Sequence, residues 1–199
     1  MHSYRKVTVF LDIEGSPNWP YEIGAIATKH GKIESAFIGW CPPQIDEKSL
    51  NLLNSSARYC HGLRLSWLKN EGESHESLIA RFYCWLQSIK PRQIAANSIE
   101  DITLFIQQLG LTIPIIDVSL PNWRDRHRLD EHQDSYEAKR SEIPMPNGLN
   151  CPYKSAHCPT IRVTSKSGET QAARRAHGSH CALYDAFEIA LFALNRNLI

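Results

Sequence analysis

The run VTVFLDIE at 7–14 constrains the fold more than any other stretch of the chain. Val7, Val9, Leu11 and Ile13 fall on one face, and Thr8, Phe10, Asp12 and Glu14 on the other. Period two over eight residues predicts a strand, and it delivers Asp12 and Glu14 to the same face at its end. Two like charges a few Å apart repel unless a cation sits between them. A strand end that displays both is therefore a candidate divalent-metal site with hard oxygen ligands. Taken alone, an Asp-x-Glu equally describes two solvated acids on an exposed strand end.

Two more β-rich runs, at 21–28 and 32–39, are divided by His30-Gly31, a turn signal, so the chain opens as a three-strand meander. Helical spacing then takes over. Leu78, Phe82, Trp85, Leu86 and Ile89 form a stripe within 74–89, closed by Lys90-Pro91. A short strand at 93–96 leads into a helix carrying Ile102, Phe105, Ile106 and Leu109 and stopped by Gly110. An apolar strand is expected at 113–118, and a charge-rich helix or loop at 121–142. Pro144, Pro146, Pro152, Pro159 and Gly148 make 143–160 a loop unless something ties it down. A last helix, about 181–196, buries Leu183, Phe187, Ala190, Leu191 and Leu194. Strand-strand-strand, then helix-strand-helix-strand, then a terminal helix predicts one α/β domain over 1–199, a mixed central sheet flanked by helices.

Composition excludes more than it selects. At 42% hydrophobic and 22% charged the chain reads as an ordinary globular one, and a net charge of +1 advertises no polyanion partner. Carboxylates in a site would mask basic loops elsewhere. No stretch approaches the roughly 20 apolar residues of a membrane span. The early strand leaves no room for a signal peptide, so an intracellular, cytoplasmic protein is expected, its six cysteines reduced or bound to metal.

Two further groups join the first pair of acids. Ala96-Asn97-Ser98-Ile99-Glu100-Asp101 follows the short strand and opens a helix, with Asp101 in or near its first turn. His180 stands just ahead of the terminal helix and Asp185 early in it. Singly, each acid could merely complement a helix dipole, and His180 could be a surface histidine. In this order and on these elements, the set resembles the DEDDh (DnaQ-like) 3′-to-5′ exonucleases, which have an RNase H-like fold. More narrowly, Leu11-Asp12-Ile13-Glu14-Gly15, Glu22, Ile116-Asp117-Val118 and His180-Cys181-Ala182-Leu183 are similar to the exonuclease domain of arenavirus nucleoproteins and to the Maelstrom domain of animal germline proteins. The similarity runs from about Val7 to Leu194.

The resemblance implies a metal-dependent exoribonuclease that releases nucleoside monophosphates from RNA 3′ ends, duplex RNA included. Two Mg²⁺ or Mn²⁺ ions about 4 Å apart would activate a water and stabilise the leaving oxygen. Asp12, Glu14 and Asp185 would share one ion, and Asp12 and Asp101 would help hold the other. His180 would be the general base, a task that suits an imidazole with an ordinary pKa near 6.5. Both relatives also carry a structural zinc, which the resemblance places on Glu22, Cys151, His157 and Cys181, a normal tetrahedral set. Cys151 and His157 are spaced more widely than in the viral relatives, which leaves Cys158 or His177 as a competing ligand.

Substrate contacts are expected at Gly15, where a nucleotide backbone could approach closely, and at Trp19, as a stacking surface for the terminal base. Lys166, Arg174 and Arg175 would grip phosphates if they lie on a loop beside the site. Nucleic acid is thus the expected partner, RNA before DNA. Two other readings stay open: a non-catalytic Maelstrom-like RNA-binding module, and a DNA-directed 3′-to-5′ exonuclease.

Overall fold

A computed structural model describes residues 7–43, 68–70, 72–118, 149–150, 160–164, 170–175 and 182–195. The alternating run becomes β1 (Val7–Ser16), and β2 (Trp19–Lys29) and β3 (Lys32–Trp40) complete the expected meander. Its first hairpin carries a bulge between Glu14 and Gly15, and the second turns through His30 and Gly31, both at positive φ. Helix α1 (His75–Ile89) begins where Ser74 accepts a hydrogen bond from Ser77 N, and it ends at Lys90, which adopts the left-handed conformation ahead of Pro91. Next come β4 (Gln93–Ala96) and α2 (Ile99–Gln108), with Gly110 at φ 68° just beyond the helix. Strand β5 (Ile115–Asp117) is shorter than the run that predicts it. Pro114 has no N–H to donate, but its carbonyl accepts from Ile94 N at 2.8 Å and leads the strand in. The final helix, α3 (Ala182–Asn195), lies where its apolar spacing puts it.

The five strands form one sheet in the order β3-β2-β1-β4-β5, antiparallel within the meander and parallel from β1 through β4 to β5. This is the mixed sheet expected of the α/β class. Because β1 is central, both of its faces are covered. Val9 and Leu11 join Ile23, Ala25, Phe37 and Ile94 beneath α1 and α2, where Phe82 and Phe105 stack with centroids 5.6 Å apart. Phe10 points the other way and packs with Ile26, Ile38 and Ala95 against Leu183, Phe187 and Ala190 of α3. Apolar burial on this scale, at about 25 cal/mol per Å², is the main force holding the helices to the sheet.

The stretch read as a Pro-rich loop is partly something else. Leu149–Asn150 forms β6, and Thr160, the last residue of that stretch, begins β7 (Thr160–Thr164), which pairs antiparallel with β8 (Thr170–Arg175). The physical reason is the β-branched run Thr160, Ile161, Val163, Thr164, whose strand propensity outweighs the turn residues before it. Arg174 and Arg175 accordingly lie in a strand rather than a loop. The charged segment 121–142 is outside the described residues. Among those that are described, no helix is long and apolar enough to cross a membrane.

Candidate active site

The site begins with the polarity of β1. Phe10, Asp12 and Glu14 share a face, and that face is apolar only as far as α3 covers it. Past Phe10 the next two residues on that side are acids, at the level where α3 begins. Its parallel neighbour β4 ends at the same level, since Phe10 is in register with Ala95, and the chain turns there into α2. Carboxyl ends of parallel strands are the usual place for a ligand crevice in an open α/β sheet.

What brings the third acid in is a glycine. Gly24 stands directly across from Asp12 on β2. The backbone of α3 lies so close over it, at Ala182 and Leu183, that a Cβ on residue 24 would overlap main-chain atoms. With the helix start pressed onto the sheet, Asp185 in its first turn reaches β1. Carboxylate oxygens of Asp12, Glu14 and Asp185 all lie within 4.8 Å of one another. Each pair of full charges at that separation repels by roughly 3.5 kcal/mol at an effective dielectric of 20.

Electrostatics register the crowding. Burial, then the charges of Asp185, Glu14 and Glu22, push the Asp12 carboxyl well above its ordinary value of 3.8, against a smaller opposing effect of the Ile13 backbone N–H. A carboxyl raised on folding stabilises the native state only while protonated. Its contribution is complete below the unfolded value and is lost as pH rises through the folded one. In EDTA the protein is therefore expected to lose stability as pH climbs from about 4. A cation among the carboxylates reverses the penalty, so Mn²⁺ should raise the melting temperature several degrees more at pH 8 than at pH 5. Equal shifts at both pH values would contradict this.

Directly across from Glu14, on β2, stands Glu22, fully buried, with Oε1 accepting a hydrogen bond from Trp40 Nε1 at 3.1 Å. Asp101 is placed as expected, in the first turn of α2, but its side chain is exposed and stands outside the group of three.

Three solved structures of the Mopeia virus exonuclease domain superpose on this chain. One was soaked with alendronate (TM-score 0.51, 20% identity over 97% of this chain and 80% of that one). A second was fully depleted of manganese (TM-score 0.52, 20% identity, 97% and 79%). The third was partially complexed with manganese (TM-score 0.52, 19% identity, 96% and 79%). The chain has the fold of an exonuclease domain. No family model matches its sequence, and no curated protein does.

Two of the expected substrate contacts look different in the fold. Gly15 has φ 106° at the bulge, and a Cβ there would come within 2.8 Å of the Tyr21 ring, so backbone conformation and Tyr21 account for the glycine. Trp19 is the other. Its ring lies on the α1–α2 side of the sheet, opposite the carboxylates, stacked on His75 with centroids 3.8 Å apart, and its N–H donates to Pro42 O at 3.0 Å. The bulge and hairpin turn that separate Trp19 from Glu14 carry it to the other face.

His180, Cys151, His157, Cys181, Lys166 and the competing Cys158 and His177 fall outside the described residues, as do the side chains of Arg174 and Arg175. Gly24 and Trp40 were missed by sequence reasoning. For Gly24 there was a signal, because a glycine inside a strand pattern often marks another backbone close by. For Trp40 there was none short of the sheet register.

Proposed function

We propose that the protein is a divalent-metal-dependent 3′-to-5′ exonuclease acting on RNA ends. The observation that carries this is the convergence of Asp12, Glu14 and Asp185, from two elements at opposite ends of the chain, on one point of an exonuclease-type fold. Three crowded carboxylates, one of them largely buried and made more basic by the others, fit a hard cation and little else. Asp12, Glu14 and Asp185 would hold one Mg²⁺ or Mn²⁺. Asp12 would share a second with Asp101, whose helix opens off the neighbouring parallel strand. Such ions polarise the phosphodiester and lower the pKa of an attacking water.

The chain's own residues supply the rest. His180, close before α3 in sequence, would accept the water's proton. Glu22, with Cys151, His157 and Cys181, would bind a structural zinc. Its support is that Glu22 is buried two residues along the same face from Gly24, the residue on which Ala182, next after Cys181, is seated. Lys166, Arg174 and Arg175 would meet phosphates, and RNA is preferred over DNA on the strength of the arenavirus resemblance.

The test is digestion of matched 3′-labelled single-stranded RNA, duplex RNA and DNA. Mononucleotides should be released with Mn²⁺ or Mg²⁺ and not with EDTA, and RNA should be the faster substrate. Equal rates on DNA would point to a DNA-directed enzyme. Tight RNA binding with no metal-dependent release would overturn the catalytic reading.

A further inference from the structure

We propose that His75, the first residue of α1, is a positioning residue for Glu14: it clamps the tip of the β1–β2 hairpin from the face opposite the carboxylates, and the clamp loosens in acid. This rests on the divalent-metal reading above and adds a control on that site. Glu14 sits where the sheet gives the hairpin little support. The β1–β4 pairing ends at Phe10, and the β2–β3 pairing ends at Glu22. Beyond those points residues 15–20 continue as a two-stranded tip, closed by Trp19 N donating to Ser16 Oγ at 3.1 Å. Side-chain and loop contacts hold this tip from outside. Cys41 donates to it twice, from N to Tyr21 O at 3.0 Å and from Sγ to Pro20 O at 3.2 Å. Gln108 of α2 donates to Asn18 Oδ1, and the Trp19 indole donates to Pro42 O. The remaining contact is the stack of Trp19 on His75, with the rings 9° from parallel.

Of these contacts the stack alone contains a group that titrates near neutrality. Nε2 of His75 is buried and has no hydrogen-bond partner among the described residues. A neutral imidazole can leave that nitrogen as a bare acceptor, but a protonated one must place an N–H there with nothing to receive it. His75 also opens a helix, where the dipole disfavours a cation. The Trp19 face attracts a cation, and so does Glu76 beside it, but burial outweighs them and holds the imidazole below its ordinary value of 6.5. The other charged groups nearby do not reverse this. Glu73 is paired with Arg81, and the Cys41 thiol is pushed up to about 12 by burial and then by Glu73 and Glu76, so it stays neutral. From the hairpin, residue 42 and α2 the contacts are Trp19, Pro42, Asn18 and Gln108, none of them charged. A base lowered on folding contributes its full stability above the unfolded value and loses it as pH falls through the folded one. The clamp is therefore closed at pH 8 and gives way below about pH 6.

The experiment compares the full chain with His75→Phe, which keeps a flat ring that cannot be protonated, and with His75→Ala, which has no ring. Manganese affinity is read at pH 8 and pH 5.5 by the electron paramagnetic resonance of the free ion. At pH 8 His75→Phe should match the wild type, and His75→Ala should bind manganese about tenfold more weakly, as when a ligand loses the group that orients it. At pH 5.5 protonation of the carboxylates weakens binding in every chain, but the wild type should fall several-fold further than His75→Phe. The Trp19 indole N–H resonance, assigned with Trp19→Phe, should move with a midpoint below 6.5 in the wild type and stay still in His75→Phe. That comparison does not depend on how His75→Ala folds. Manganese affinity in His75→Ala equal to the wild type, a parallel fall with pH in the wild type and His75→Phe, or a Trp19 resonance indifferent to pH each overturns the proposal. A wild-type chain that binds no manganese at either pH overturns the metal reading, and this proposal with it.

Discussion

Asp12→Asn is expected to lower the rate of nucleotide release on the order of a thousandfold or more while raising the melting temperature of the metal-free protein. The two effects have one cause. Asp12 sits at the centre of the acidic group, repelled by Asp185, Glu14 and Glu22 together and desolvated besides. An amide of nearly the same shape removes the like-charge repulsion and much of the cost of burying an ion. Stability at pH 8 in EDTA should rise by on the order of 1 kcal/mol, which is about 2–4 °C for a chain of this size. An amide is also a poor ligand for a hard cation, and a site that works through bound metal loses its chemistry with its ligand. Melting curves and the digestion assay on one preparation check both halves. A variant that is inactive and also less stable would mean that Asp12 has a structural role in place of the one assigned to it.

The second large effect is expected at Gly24, which touches no substrate. Gly24→Ala puts a methyl group where the main chain of α3 runs at Ala182 and Leu183. Backbone cannot rotate aside as a side chain can, so the helix start must lift. Overpacking of this kind costs roughly 2–3 kcal/mol, or about 4–12 °C in melting temperature for a chain of this length. Asp185 rides on the first turn of that helix and would move with it. A misplacement of about 1 Å in a catalytic group can cost on the order of a hundredfold in rate. Ala27→Gly is the comparison, since Ala27 is buried on the opposite face of the same strand under other residues. It should cost about 1 kcal/mol and leave turnover within a few-fold of wild type. If both variants behave alike, Gly24 is not what seats α3.

These two residues also mark how far the sequence could be read. The acids were legible because the period of a strand puts i and i+2 on one face whatever surrounds it, so Asp12 and Glu14 had to emerge together. The helices were legible from apolar stripes that end in real stop signals, Lys90-Pro91 and Gly110. That Asp185 joins Asp12 is a different kind of fact. It depends on a crossing of α3 over β2 that no local pattern encodes, and its only trace was one small residue inside a strand. Trp19 is placed by the same kind of non-local fact. Its closeness to the acids in sequence suggested the substrate, but a bulge and a turn lie between them, and these carry its ring to His75 on the far side of the sheet. The β7–β8 hairpin was not legible because the β-branched run that begins at Thr160 is short and directly follows a stretch of turn residues.

Catalysis as proposed requires one divalent ion shared by Asp12, Glu14 and Asp185. Diffraction from a crystal soaked in Mn²⁺, collected at the manganese absorption edge, measures that directly. The expected result is an anomalous peak among the carboxylates of Asp12, Glu14 and Asp185, absent from an Asp12→Asn crystal treated in the same way. Saturating manganese with no peak there, or with those three side chains turned away from one another around solvent, would contradict it.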